Sequence, residues 1–152
     1  MAEQEASFNI EKLYVKDLSL EIPNAPQIFM QGEDPQLDVQ VNNSAEQFSE
    51  GLYEVIVTVT VTAKAGEKTL FLAEAAQAGI FTVRGVPAEE LEPLLSIGCP
   101  TILYPYVREV ISDVVTRGGF PPVLLAPVSF EALYMQRQQQ AEKDGPRIEV
   151  SH

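Results

Sequence analysis

Apolar and polar residues alternate strictly through the middle of this chain. Tyr53, Val55, Val57, Val59 and Val61 are interleaved with Glu54, Ile56, Thr58, Thr60 and Thr62. A period of two in β-branched residues predicts a strand with one buried face. Leu37, Val39 and Val41 alternate in the same way with Asp38, Gln40 and Asn42. Gly51 marks a turn between these two strands, and residues 64–68 mark another, leading into a strand over residues 70–83. Gly79 inside that strand indicates a bulge or a close packing contact. An earlier strand covers residues 8–22, but its apolar parity changes: Leu13 and Val15 are odd, whereas Leu18, Leu20 and Ile22 are even. A shift of one residue exchanges the two faces of a strand, so a bulge is predicted near Lys16 and Asp17. The order of turns predicts a four-stranded antiparallel meander.

Beyond Arg84 the period becomes helical. Pro87-Ala88-Glu89-Glu90-Leu91 reads as a short helix start, with proline early and acids in the first turn. A long helix is predicted over residues 102–117, where Leu103, Tyr106, Val107, Val110, Ile111, Val114 and Val115 make a broad apolar stripe. Pro105 must lie in its first turn or kink it, and Gly118-Gly119 ends it. Residues 120–128 are apolar but too proline-rich for a helix or a central strand. A last helix follows over residues 130–140, then a polar tail, residues 141–152, expected to be disordered. The fold class is therefore α+β: one sheet with a long, a short and a C-terminal helix on one face, in a single domain over residues 1–140.

Composition agrees with this reading. The chain has 152 residues, 45% of them apolar, enough for one self-sufficient core. No apolar run approaches the ~20 residues of a membrane helix. The start, Met1-Ala2-Glu3-Gln4-Glu5, lacks the basic and apolar regions of a secretory signal, so a cytoplasmic protein without membrane insertion is expected. The lone Cys99 fits a reducing compartment. Ten basic residues stand against 22 acidic ones, a net charge of −12, which argues against nucleic-acid binding. Between Asp17 and Ala63 there is no Lys or Arg, while eight acids fall in that stretch. Acids so distributed keep a protein soluble by self-repulsion, or form a docking face for a basic partner.

The catalytic inventory is poor. The only histidine is His152, the last residue, where no base can be held in hydrogen-bond geometry. One Cys and one His do not make a zinc site, and no phosphate-binding glycine loop is present. No metal, cofactor or catalytic residue is expected. Glu109 and Asp113 share a face of the long helix at i, i+4, and a carboxylate enzyme is the rival they allow; local pairing of Asp113 with Arg117 is the simpler reading. Cys99, beside Pro100 at the helix start, reads as a small buried hydrophobe. Apolar surface is the positive signal. Residues 120–128 and Pro26-Gln27-Ile28-Phe29-Met30 are greasy, proline-bounded connections of the kind that mark binding surfaces. The long helix is apolar on more than one face, more than one sheet can bury, so contact with another subunit is expected.

Four blocks of sequence carry a resemblance. Glu21-Ile22-Pro23-Asn24-Ala25-Pro26 resembles the E-x-P-N-A-P signature of SecB, the bacterial protein-export chaperone family. Cys99-Pro100-Thr101-Ile102-Leu103-Tyr104-Pro105-Tyr106-Val107-Arg108-Glu109 is similar to its C-P-x-I-L-F-P-Y-A-R-E segment, and Arg117-Gly118-Gly119-Phe120-Pro121 and Leu125-Ala126-Pro127-Val128-Ser129-Phe130-Glu131-Ala132-Leu133 to two further blocks. The resemblance implies an ATP-independent holder of unfolded secretory precursors that delivers them to the motor ATPase SecA, working as a homotetramer built from two dimers. It implies SecA docking through Asp17, Glu21, Leu72 and Glu74, with the basic zinc-binding segment of SecA as the matching piece. It implies a client groove with Ile28, Phe29, Met30, Phe120, Leu124, Phe130, Leu133 and Tyr134, and an oligomer interface with Leu103, Tyr106, Val107, Val110, Ile111 and Val114. A SecB-like chaperone dedicated to one basic client, as in toxin–antitoxin systems, is the second rival. Unlike some members of the family, the chain has no Trp.

Overall fold

The computed structural model describes residues 5–32 and 34–144. Four long strands, β1 (Ser7–Glu21), β2 (Gln36–Ser49), β3 (Leu52–Ala65) and β4 (Lys68–Arg84), form one antiparallel sheet in the order β1-β4-β3-β2. The meander expectation therefore holds for β2-β3-β4 only, and β1 lies beside β4 rather than β2. The connections explain the difference. Tight turns with positive φ at Gly51 (74°) and Gly66 (64°) force β2, β3 and β4 to be neighbours. Residues 22–32 impose no such constraint. They cross the end of the sheet through a 3₁₀ turn, Gln27–Met30, where Asn24 Nδ2 donates to the Thr69 carbonyl at 3.0 Å and Ile28 is buried. The result is a Greek-key order.

The predicted bulge is present: the β1–β4 register shifts between Val15 and Asp17. A second shift, between Ile10 and Lys12, was not anticipated. Together they place Phe8, Ile10, Leu13, Val15, Leu18 and Leu20 opposite inner-face residues of β4 despite two changes of parity. Gly79 marks no bulge. A Cβ there would lie 2.8 Å from the Phe81 ring and 3.1 Å from a Leu103 methyl, so glycine serves close packing of helix on sheet.

Helices cover the inner face. A short helix, α1 (Ala88–Pro93), passes through one π turn, Leu94–Gly98, into α2 (Cys99–Arg117), which starts three residues before the predicted position. Pro105 consequently lies inside α2, beyond its first turn. The row Cys99, Leu103, Val107, Ile111 and Val115, one residue in four, is fully buried against Val55, Val57, Val59 and Val61 of β3 and the small residues of β4. Gly118 N–H caps the helix on the Val114 and Val115 carbonyls. Residues 120–128 are extended; Val123 and Leu125 are buried, and Tyr104 donates its hydroxyl to the Ala126 carbonyl at 2.5 Å. The last helix, α3 (Phe130–Asp144), is started by Ser129, whose Oγ accepts from Ala132 N–H at 3.1 Å. It continues four residues past its expected end. The rest of the expected disordered tail, residues 145–152, lies outside the described residues.

Candidate docking face and client surface

The face of the sheet opposite the helices is uncovered. Thr58, Thr60, Thr62 and Ile56 of β3 and Leu72, Glu74, Ala76 and Ile80 of β4 are all half-buried there. Register brings the four expected docking residues together: Ser19 pairs with Glu74, Glu21 with Leu72 and Asp17 with Ala76. Leu72 thus sits among carboxylates in a shallow depression of about 160 Å³ lined by Ser19, Glu21, Thr60, Leu72, Ala73 and Glu74. Thr60 donates its hydroxyl to Glu74 Oε2 at 2.7 Å and fixes that carboxylate. Among the described residues, Asp17, Glu21 and Glu74 take part in no ion pair. Sequence reasoning missed Thr60 and Ser19. Their outward parity was visible, but their juxtaposition depends on the register.

A second polar cluster on this face neutralises itself. Tyr14 donates to Glu54 Oε2 at 2.5 Å, and Lys16 Nζ reaches both Glu54 oxygens at 2.9 Å. The Tyr14 and Lys16 hydrogen bonds hold the Glu54 carboxyl below the usual carboxylate range. Desolvation, then the bond to Glu54, pushes the Tyr14 phenol up to about 12. The one acid of β3 on this face is therefore compensated, whereas the carboxylates around Leu72 are in no ion pair among the described residues.

The expected client residues divide. Phe29, Met30 and Leu124 are 46%, 86% and 85% exposed. Phe29 meets Phe120 at 5.2 Å between ring centroids, and Phe120 meets Phe71 at 4.8 Å. Leu133 and Tyr134 are half-buried, Leu133 in a cavity beside Val41. Ile28 (6% exposed) and Phe130 (1%) are corrected: both belong to this chain's own core, Phe130 packing edge-on against Tyr104 at 5.8 Å. The helix interface needs the same correction. Leu103, Val107 and Ile111 have no exposed surface, because β3 and β4 already bury them. Tyr106, Val110 and Val114, with Ile102, form the neighbouring row of α2 and keep exposed area. Phe48 and Met135, both 53% exposed, are apolar surface that the sequence reading did not select.

The carboxylate rival finds little geometry. Glu109 is exposed, and Asp113 is bound to Arg117 at 3.0 Å on the surface. The Cys99 thiol is fully buried, and desolvation pushes it up to about 12, far from thiolate chemistry at neutral pH. Among the described residues no group of His, Cys, Asp and Glu is placed to hold a metal ion, and no helix is long and apolar enough to cross a membrane.

Comparison with known proteins decides the family. The family model "Preprotein translocase subunit SecB" matches residues 1–141. The chain belongs to the SecB family. A protein-export protein SecB of Methylobacillus flagellatus is 61% identical over 144 residues, covering 94% of this chain and 92% of that protein. The SecB of Chromobacterium violaceum is 59% identical, covering 92% and 94%. A solved SecB-like chaperone of Mycobacterium tuberculosis, in complex with a peptide from an antitoxin, shares the fold at a TM-score of 0.66 and 18% identity, covering 80% of this chain and 90% of that one. This SecB chain is thus a protein-export chaperone, and the export reading stands over that of a dedicated antitoxin chaperone.

Proposed function

We propose that this chain holds unfolded precursor polypeptides on its exposed apolar surfaces, without ATP or covalent chemistry, and passes them to SecA at the acidic sheet face. It does so in the cytoplasm as a homotetramer. The observation that carries the SecA reading is the group Asp17, Glu21 and Glu74 around Leu72 on an uncovered sheet. Carboxylates without cationic partners retain their field for a basic partner. A half-buried leucine among them offers an apolar anchor. Client binding draws on burial of exposed apolar groups, worth ~25 cal/mol per Å² before ordering costs. Folded proteins hide such groups, so selection follows from exposure.

Titrating purified SecA into the protein, by calorimetry at low and high salt, tests the docking reading. The combined Asp17→Asn, Glu21→Gln and Glu74→Gln variant is expected to bind at least about tenfold more weakly, and wild-type affinity to fall with ionic strength. Equal affinity of variant and wild type, or binding indifferent to salt, contradicts it.

A further inference from the structure

Of the threonines that β3 turns to the uncovered face, one stands opposite an acid. Thr58 pairs with Ala76 and Thr62 with Leu72, whereas Thr60 pairs with Glu74. Thr60 Oγ1 donates to Glu74 Oε2 at 2.7 Å, and both residues are half-buried. Glu74 therefore differs from the other carboxylates of the docking face. Asp17 and Glu21 lie on the edge strand β1 and are exposed, and their carboxylates accept no hydrogen bond among the described residues. Glu74 differs from Glu54 as well. Lys16 holds Glu54 and brings a countercharge to it. Thr60 is neutral: it fixes one oxygen of Glu74, leaves the charge in place, and leaves Oε1 without a donor among the described residues.

We propose that Thr60 is a positioning residue for SecA docking. Its hydroxyl holds the Glu74 carboxylate at the depression beside Leu72, with Oε1 left to accept from a cationic side chain of the partner. This role rests on the docking reading above and names what holds its central carboxylate in place. A free glutamate side chain has several rotatable bonds, and ordering it when a partner arrives costs affinity. Thr60 does that ordering as the protein folds. Its β-branch stiffens the side chain, and β3 is an inner strand paired with β4 and β2. The fold itself does not require the hydroxyl. Valine suits a strand as well as threonine does, and Ile56 occupies an outward position of the same strand without one.

Calorimetric titration with purified SecA compares wild type, Thr60→Val, Thr60→Ser, Glu74→Ala and the Thr60→Val/Glu74→Ala double variant. Valine keeps the β-branch and removes the donor, whereas serine keeps the donor. Thr60→Val is expected to bind SecA about four-fold more weakly, and Thr60→Ser to stay within about two-fold of wild type. In the Glu74→Ala background, adding Thr60→Val should change affinity by less than about two-fold, because no carboxylate is left to position. A general disturbance of the sheet would persist in that background. Three results overturn the role while leaving the docking reading intact: Thr60→Val binding as tightly as wild type or more tightly, the full loss recurring in the Glu74→Ala background, or Thr60→Ser binding as weakly as Thr60→Val. If wild type binds no SecA, the docking reading falls and this role with it.

Discussion

At the scale of single residues, the outer face is organised by pairings that alternation alone did not reveal. Tyr14, Lys16 and Glu54 were legible as outward-facing positions, but their meeting depends on a sheet order and two bulges, of which one was anticipated. The cluster carries a pH signature with a definite sign. The folded value of Glu54 is lowered, so its contribution is complete above the ordinary carboxylate range and is lost as pH falls through the lowered value. The Tyr14 value is raised to about 12, so its contribution is complete below the ordinary tyrosine value and is lost as pH rises through about 12. Tyr14→Phe is expected to cost about 1 kcal/mol at neutral pH, a modest figure because solvent screens the site. In urea unfolding the deficit should shrink at a pH low enough to protonate the carboxyl in both proteins. An equal deficit at both pH values would show that packing, and not the charged bond, is being measured.

At the scale of elements, the sequence was most legible where local rules decide. Strands β2, β3 and β4, their two glycine turns and the glycine stop of α2 lie close to their expected places, because alternation and positive φ are local demands. The position of β1 was not legible: a long connection lets a strand join either edge, and inner-face burial on β4 selects one of them. Gly79 left two readings open at the sequence level, and the approach of Leu103 chooses packing. Gly79→Val would force Phe81 and Leu103 apart and should cost about 2 kcal/mol by urea denaturation, despite the better strand propensity of valine. No loss of stability would mean that α2 does not press on the sheet as described.

At the scale of the whole molecule, α2 has two apolar customers. Its excess of apolar residues was legible, but the division between this chain's sheet and another copy was not, since both want the same residue types at neighbouring helical positions. The structure separates them into a fully buried row, Cys99 to Val115, and an adjacent row of Ile102, Tyr106, Val110 and Val114 with area to spare. Packing of such rows from two helices is ridges-into-grooves geometry. The inner side of β1 adds Ile10, Val15 and Leu18, all 45–47% exposed. These surfaces support the tetramer proposal. Tyr106→Glu combined with Val110→Glu places charge at the contact and should yield a smaller species by sedimentation, with the fold retained by circular dichroism. An unchanged sedimentation coefficient would move the assembly surface elsewhere.

The holding of unfolded chains is directly measurable. A slow-folding protein is unfolded chemically and diluted into buffer without ATP, with and without this chaperone, and light scattering is followed. Suppression of aggregation at a near-stoichiometric ratio is the expected result. Undiminished aggregation in the presence of the folded chaperone would contradict the account at its centre.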